Sequence, residues 1–390
     1  MKRAAENRTT GMSQQHKILM ISLESLLDKF NHILPREIVR QTGWELKVFL
    51  PLFHRQKCFA RKLYPEKTRD QHYDIITGKT TLTASHHYMF FHSLMKYLLS
   101  DFQPDIIDLE APLHSFTALQ TCLFRNRYSP RSKIVLRDFT ARRNHRGALL
   151  KPFQSLVLNN IQAILLPGYL PEGNVTAGQF AGKVVHIPPV VNNAVFRPRD
   201  LPELCTKLKP TGKILLGLPG KSARFRNLKL IFQAAAGENI KLFILGDCAG
   251  KKRIARLAKS RGVEVQFSGT ASHEEIAQYL NCLDIFIIPE PLREITSTAI
   301  IHQTLEAMSS GTAVLAADSG LLRRLMGKET VSFRPHDVSN LRENLARLCR
   351  NKKQRSELGW QSRRRILQVH SARRVVSHLA PLYRQLLQGR

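Results

Sequence analysis

Two short apolar runs constrain the fold first. "HKILMISL" (His16–Leu23) and "ELKVFLPL" (Glu45–Leu52) have the length of buried strands. Between them "FNHILPREIVRQTG" (Phe30–Gly43) has helical spacing and a closing glycine. A strand, a helix and a second strand within roughly 35 residues require a parallel pair joined by a right-handed crossover. The alternation continues. "HHYMFFHSLMKYLLSDF" reads as a helix, "PDIIDLEA" (Pro104–Ala111), "SKIVLRDF" and "IQAILLP" as strands, and "KVVHIPPVV" (Lys183–Val191) closes the first half.

A polar, proline-marked stretch follows, "NNAVFRPRDLPELCTKLKPTG", and reads as a linker. Alternation then restarts: "KILLGLPG", "IKLFILGD", "VEVQFSG", "DIFIIP" and "TAVLAAD" as strands, with helices between them. In one of these helices Ser272 and Glu275 form the pattern of a capping box. The expected class is α/β, with two Rossmann-like domains whose parallel sheets face a cleft. The boundaries are a polar tail at 1–15, a first domain at 16–190, a linker at 191–211, a second domain at 212–365, and a tail at 366–390 that packs back on the first domain. Ligands of such sheets bind beyond the carboxyl ends of the strands.

Charge narrows the partners. Lys and Arg number 60 against 30 Asp and Glu, a net charge of +30. The excess concentrates in Leu123–Lys151, with Asp138 as its one acid, and in Ala346–Arg390, with Glu357 as its one acid. Such a field attracts phosphates, whether of an anionic membrane surface, a charged substrate or nucleic acid. No helix-turn-helix, zinc or RNA-binding signature accompanies it, so nucleic acid is not the expected partner. No apolar run approaches the ~18 residues of a spanning helix, and "MKRAAENRTTGMSQQHK" lacks a secretion signal's apolar core. The six cysteines show no C-x-x-C spacing, which argues against a zinc site or a disulfide framework and fits a reducing cytosol. Pro381 is expected to interrupt the last helix.

Chemistry gathers after "DIFIIP". The loop "EPLREITST" leaves a strand's carboxyl end, and the helix after it carries Ala299, Ile300, Thr304, Leu305 and Met308 as a packing stripe. Glu306 lies beside the stripe. It is either a surface acid or a carboxylate placed to accept hydrogen bonds from a vicinal diol such as a ribose.

The ordered phrases "IKLFILGD", "VEVQFSGTASHEEIAQYLNCLDIFIIPE", "LEAMSSGTAVLAADSGL" and "FRPHDVSNLRENLARL" resemble the donor domain of GT-B glycosyltransferases, most nearly glycosyltransferase family 4 (group 1). "HIPPVVNNAVFRP" resembles that family's interdomain segment and "PDIIDLEAPLHSFTALQ" its acceptor domain. The resemblance implies transfer of a sugar from a nucleotide-diphosphate sugar to a hydroxyl acceptor, with retention, without metal and without a cofactor. Glu306 matches the second acid of an E-x7-E motif. Thr298 stands at the first, with Glu294 and Glu290 upstream of it. Leu218 follows Gly217 where the family has an arginine; Arg226 matches its lysine, and Lys221 or Arg224 supplies a further cation. Gly246 and Asp247 fall where the family often has a glycine turn, and Ser319 and Gly320 near the expected donor phosphates; all four are expected to bind the donor. His114 falls where the acceptor or donor sugar is expected. Arg142, Arg143 and His145 fall where the acceptor is expected.

The basic charge adds a saccharide or lipid-linked acceptor of cell-envelope synthesis, held at the inner face of a cytoplasmic membrane. A non-catalytic GT-B partner protein, a basic nucleic-acid-binding protein and a nucleotide-sugar epimerase are the alternatives.

Overall fold

The computed structural model describes residues 15–23, 32–52, 54–55, 62–63, 72–82, 87–92, 94–138, 152–168, 180–209, 212–292, 298–327 and 330–389. The chain forms two units: 1–165, 175–185 and 379–390 in the first, 166–174 and 186–378 in the second.

The first unit is built on β1 (Lys17–Ser22), α1 (Ile33–Thr42), β2 (Glu45–Pro51), β3 (Asp74–Gly78), α2 (Leu94–Phe102), β4 (Ile106–Glu110), α3 (Phe116–Tyr128), β5 (Lys133–Arg137), α4 (Gln154–Asn160), β6 (Ala163–Pro167) and β7 (Lys183–Ile187). The sheet order is β7-β6-β5-β4-β1-β2-β3, and the pairs from β6 to β3 are parallel. Strand sequences such as "ILMI" are buried without alternation, as a sheet covered on both faces requires. Gly43 ends α1 in the left-handed region at φ 68°, which closes the helix as its sequence predicts. The helix expected over "HHYMFFHSLMKYLLSDF" is shorter. Phe90–Phe91 pairs antiparallel with Thr80–Thr81, and helix begins only at Leu94. Phe91 packs on Phe49 at 4.4 Å between ring centroids, so burying the ring decides for strand there.

One buried polar group stands out in this unit. Arg137 on β5 forms a two-pronged ion pair with Asp108 on β4, and Tyr383 donates to the same carboxylate at 2.5 Å. All three are almost fully buried. Arg137 is therefore core and not part of a basic surface, a correction to the reading of Leu123–Lys151. Burial alone would lower the Arg137 pKa, but Asp108 and the Tyr383 oxygen outweigh it, and the net shift is upward. Burial, and then Asp108, raise the Tyr383 pKa well above the usual phenol value, so its proton stays in place.

The second unit carries α5 (Pro202–Leu208), β8 (Ile214–Pro219), a 3₁₀ turn (Gly220–Ser222), α6 (Phe225–Ala234), β9 (Ile240–Leu245), α7 (Lys251–Lys259), β10 (Glu264–Gly269), α8 (His273–Cys282), β11 (Ile285–Ile288), α9 (Thr298–Ser309), β12 (Ala313–Ala317), α10 (Gly320–Met326), β13 (Val331–Phe333), α11 (Val338–Arg350) and α12 (Lys352–Arg365). A π-helical turn (Ile366–His370) leads into α13 (Ala372–Gln388), whose end from Leu379 belongs to the first unit. All five strand pairs are parallel, in the order β10-β9-β8-β11-β12-β13. Leu216, Leu218, Leu242, Ile244, Ile285, Ile287 and Leu315 form the core of this sheet with α6 and α11. Each such side chain contributes about 1.5–3 kcal/mol on burial. The capping box of α8 forms as its sequence predicts: Ser272 Oγ accepts from the Glu275 amide at 3.3 Å, and Glu275 accepts from the Ser272 amide at 2.7 Å.

The stretch expected as a linker carries α5, which Pro202 opens at its first turn. Two expectations differ. Cys205 on α5 and Cys282 on α8 form a disulfide across 77 residues, a proximity that no local spacing encodes, and it removes the cysteine argument for a reducing compartment. Pro381 lies inside α13 without ending it, on the exposed side of the helix.

Candidate functional site

Both sheets have the doubly wound order in which consecutive connections reverse direction beside the first strand. In the second unit that switch point lies between β8 and β11. The loops leaving the two strands diverge there and open a crevice at the carboxyl edge. On one side the 3₁₀ turn carries Lys221 and Ser222; on the other, Glu290 follows Pro289. Ser222 Oγ donates to Glu290 Oε1 at 3.1 Å, and the Arg224 guanidinium stands 4.0 Å from Oε2. Gly220 is required by close approach, since a Cβ there would lie 2.4 Å from the Asp247 carbonyl oxygen.

Helix α9 follows β11 and packs against this 3₁₀ turn, as well as against α8, α12, β11 and β12. These neighbours enclose its second half, so Thr304, Leu305, Glu306, Ala307, Met308 and Ser309 are all buried, while Ala299 and His302 in its first half are exposed. Glu306 is only 8% exposed, which excludes the surface-acid alternative. Among the described residues its carboxyl makes no hydrogen bond. Burial raises its pKa from 4.5 to about 7, opposed by the charge of His273. One turn back along α9, the Gln303 amide nitrogen lies 3.6 Å from where a Cβ on Gly246 would sit. Gln303 and Glu306 thus share a face at i, i+3 spacing.

Several sequence-predicted residues gather near this edge. Lys221 is exposed on the 3₁₀ turn. Gly246 adopts φ 80° at the end of β9, and its amide donates to Ser268 Oγ at 2.9 Å. Asp247 follows, 3.7 Å from Lys251 Nζ. Ser319 caps α10, accepting from the Leu322 amide at 3.1 Å, and Gly320 is that helix's first residue.

Others are placed differently. Gly217 lies within β8, where Leu283 fills the space its side chain would need, so it serves packing and not the edge. Leu218 is wholly buried. Arg226 on α6 opens onto a cavity of about 340 Å³, where Lys229, Gln233 and His336 are its neighbours and Lys221 is not. Thr298 is the first residue of α9. Glu294, Arg142, Arg143 and His145 lie outside the described residues.

The first unit repeats the device. Its switch point lies between β1 and β4, and Ser22 Oγ donates to Glu110 at 2.7 Å across it. Beside this pair, Asp138 accepts from the Leu113 amide at 2.9 Å, and the His114 carbonyl is bonded to His87 Nδ1 at 2.9 Å. These contacts place His114 on the carboxyl edge. Ser222, Gln303 and the Ser22–Glu110 pair were missed in the sequence. The one available signal was position, since Glu110 ends β4 and Ser22 ends β1.

The family described as "Glycosyl transferases group 1" matches residues 206–365. A curated relative, the MMP alpha-(1->4)-mannosyltransferase of Mycolicibacterium hassiacum, is 30% identical over 140 residues, which are 35% of this chain and 32% of that protein. The chain therefore matches about a third of the length of that relative. Among solved structures, sucrose-phosphate synthase from Thermosynechococcus elongatus superposes with a TM-score of 0.68 at 16% identity, covering 96% of this chain and 100% of that one. Anabaena HepE in complex with UDP and glucose gives 0.63 at 12% identity, covering 95% and 100%. At such identities the likeness is one of fold. Residues 206–365 thus match the group 1 glycosyl transferase family, and the chain shares its fold of two Rossmann-like sheets with these solved glycosyltransferase structures.

Proposed function

We propose that this protein transfers a sugar from a nucleotide-diphosphate sugar to a hydroxyl acceptor. The observation that carries the reading is Glu306: a buried carboxyl without a hydrogen bond among the described residues, on the helix that follows the switch point, within the matched domain. A ribose would give that carboxyl two hydroxyl donors. Lys221 and Arg226 would balance the diphosphate as the sugar leaves, the role that the family's basic pair implies. Side-chain movement would have to bring Arg226 toward Lys221. Gln303 would reach the donor beside Gly246, and His114 the sugar or acceptor.

The reading extends to retention of configuration, membership of glycosyltransferase family 4, and a saccharide or lipid-linked acceptor in cell-envelope synthesis. It places the protein peripherally on the inner face of the cytoplasmic membrane. The HepE structures with UDP and with UDP-glucose support a nucleotide-sugar donor, and UDP is the first to test.

A thermal-shift series with UDP, GDP and ADP checks the donor site. A nucleotide at a hundred times its Kd should stabilise the native state by about 2.7 kcal/mol. No shift with any of the three would refute a donor site. Turnover, once an acceptor is found, is expected to survive EDTA; loss in EDTA with recovery in Mg²⁺ or Mn²⁺ would place a metal where the two cations are proposed. The buried Leu218, where the family has arginine, favours a second reading, a non-catalytic partner that binds the donor. Measured transfer of sugar to any acceptor removes it.

A further inference from the structure

Between Lys352 and Arg374 the basic residues are not alike. Arg355 donates to the Leu348 and Cys349 carbonyls at 2.6 and 2.9 Å and pairs with Asp284 at 3.4 Å. Arg363 donates to the Phe196 and Ser309 carbonyls, each at 2.7 Å. Arg365 donates to the Leu325 and Arg324 carbonyls at 3.0 Å. These three look inward and fix α12 to its own unit. Lys352, Lys353, Arg364 and Arg374 are exposed, and among the described residues their side chains make no hydrogen bond or ion pair.

The same outward face carries apolar side chains. Trp360 is 65% exposed and Leu367 is 43% exposed, although tryptophan is on average a well-buried residue. Lys353, Trp360, Arg364 and Leu367 follow one another at seven, four and three residues. They therefore form a single stripe along α12 into the π-helical turn, with Glu357 as the one acid on it. Cations that alternate with an indole and an aliphatic side chain match a lipid interface. There the indole sits at headgroup depth, the aliphatic chain enters the acyl boundary, and the cations meet phosphates. Single-stranded nucleic acid is bound in a basic groove with stacking aromatics; a convex helix face is no groove, and Leu367 would gain nothing from it.

We propose that this stripe of the second unit is the surface by which the protein docks on an anionic bilayer. The proposal rests on the peripheral membrane reading given above and names the residues that carry it.

Tryptophan emission tests it directly, because the chain has only two tryptophans and the other, Trp44, is buried. In the full chain carrying Trp44→Phe, vesicles of phosphatidylcholine and phosphatidylglycerol in equal parts should shift Trp360 emission to the blue. Brominated acyl chains in the same vesicles should quench it. Phosphatidylcholine alone should do neither. The double variant Lys353→Glu/Arg364→Glu should partition at least about tenfold more weakly, with an unchanged melting temperature as evidence that it folds. Trp360→Ala with Leu367→Ala should weaken flotation several-fold while the cations remain.

Absence of quenching on the anionic vesicles would overturn the proposal. So would equal quenching on the neutral ones, or full binding by the charge-reversed variant. A spectral change with an oligonucleotide and none with vesicles would assign the stripe to nucleic acid instead. Failure of UDP, GDP and ADP alike to stabilise the unsubstituted chain would sink the transferase reading while leaving this surface standing.

Discussion

Asp108→Ala is expected to destabilise the first unit by about 3–5 kcal/mol, among the largest single-residue effects in the molecule. The substitution removes the acceptor of both Arg137 and Tyr383 and leaves a guanidinium without its counter-ion among buried side chains. Solvation cannot replace the lost partner, because Arg137 is only 4% exposed. Tyr383→Phe keeps the ion pair and loses one hydrogen bond to a charged group, so a smaller cost of about 1.5–3 kcal/mol is expected. Urea unfolding followed by a probe in the first unit orders the two variants. A loss below about 1 kcal/mol for Asp108→Ala would mean that water reaches Arg137 and that the pair is not buried in solution. The prediction also bears on the chain's end: Tyr383 reaches Asp108 from the last helix across 275 residues, so removing that helix should cost at least what Tyr383→Phe costs.

The contrast between these residues and the sequence shows where local patterns stop informing. Alternation of strands and helices was legible because burial in a parallel sheet leaves continuous apolar runs, and "ILMI", "IKLFIL" and "IFII" all became strands. Strand order was not legible. It depends on pairing between segments far apart, such as β8 with β11, and that order creates both switch points. Arg137 was counted with a basic surface because charge density is blind to the direction of a side chain. The Cys205–Cys282 pair and the Ser222–Glu290 bond, 77 and 68 residues apart, were invisible because, like strand order, they join segments far apart in sequence. Glu306 was placed beside a packing stripe, which assumed that α9 has a wet face. That wet face exists only over the first half of the helix, at Ala299 and His302, and neighbours cover Glu306, so periodicity misjudged the exposure of that one position. The family resemblance assigns a role to the residue that periodicity left ambiguous.

Glu306→Gln is expected to make the empty protein more stable and a worse binder of the donor. In the free protein, burial holds the carboxyl near a pKa of about 7 against 4.5 for an unburied one. A carboxyl raised in the folded state contributes stability that is complete below pH 4.5 and is lost as the pH climbs through about 7. Above that, ionisation costs about 3 kcal/mol at the ~1.4 kcal/mol that each pKa unit represents. Glutamine does not ionise, so the variant should match the parent near pH 4 and exceed it by up to about 3 kcal/mol at pH 8. Binding should run the other way. Ribose hydroxyls donate to a carboxylate more strongly than to an amide oxygen, and losing that charge-assisted bond is worth roughly 1.5–3 kcal/mol, tens of fold or more in Kd. Because the ligand prefers the ionised form, parental affinity should rise between pH 6 and pH 8, and the rise should vanish in Glu306→Gln. A nucleotide sugar is the ligand to use, since its diphosphate takes up no proton in that range, whereas the terminal phosphate of UDP does. His273 is the charged neighbour that opposes the shift, so His273→Ala should push the Glu306 pKa higher and move the rise in affinity to higher pH. Stability that is flat with pH in the parent, together with unchanged affinity in Glu306→Gln, would remove Glu306 from the donor site. Higher stability without weaker binding would leave it as a buried acid that serves neither packing nor ligand.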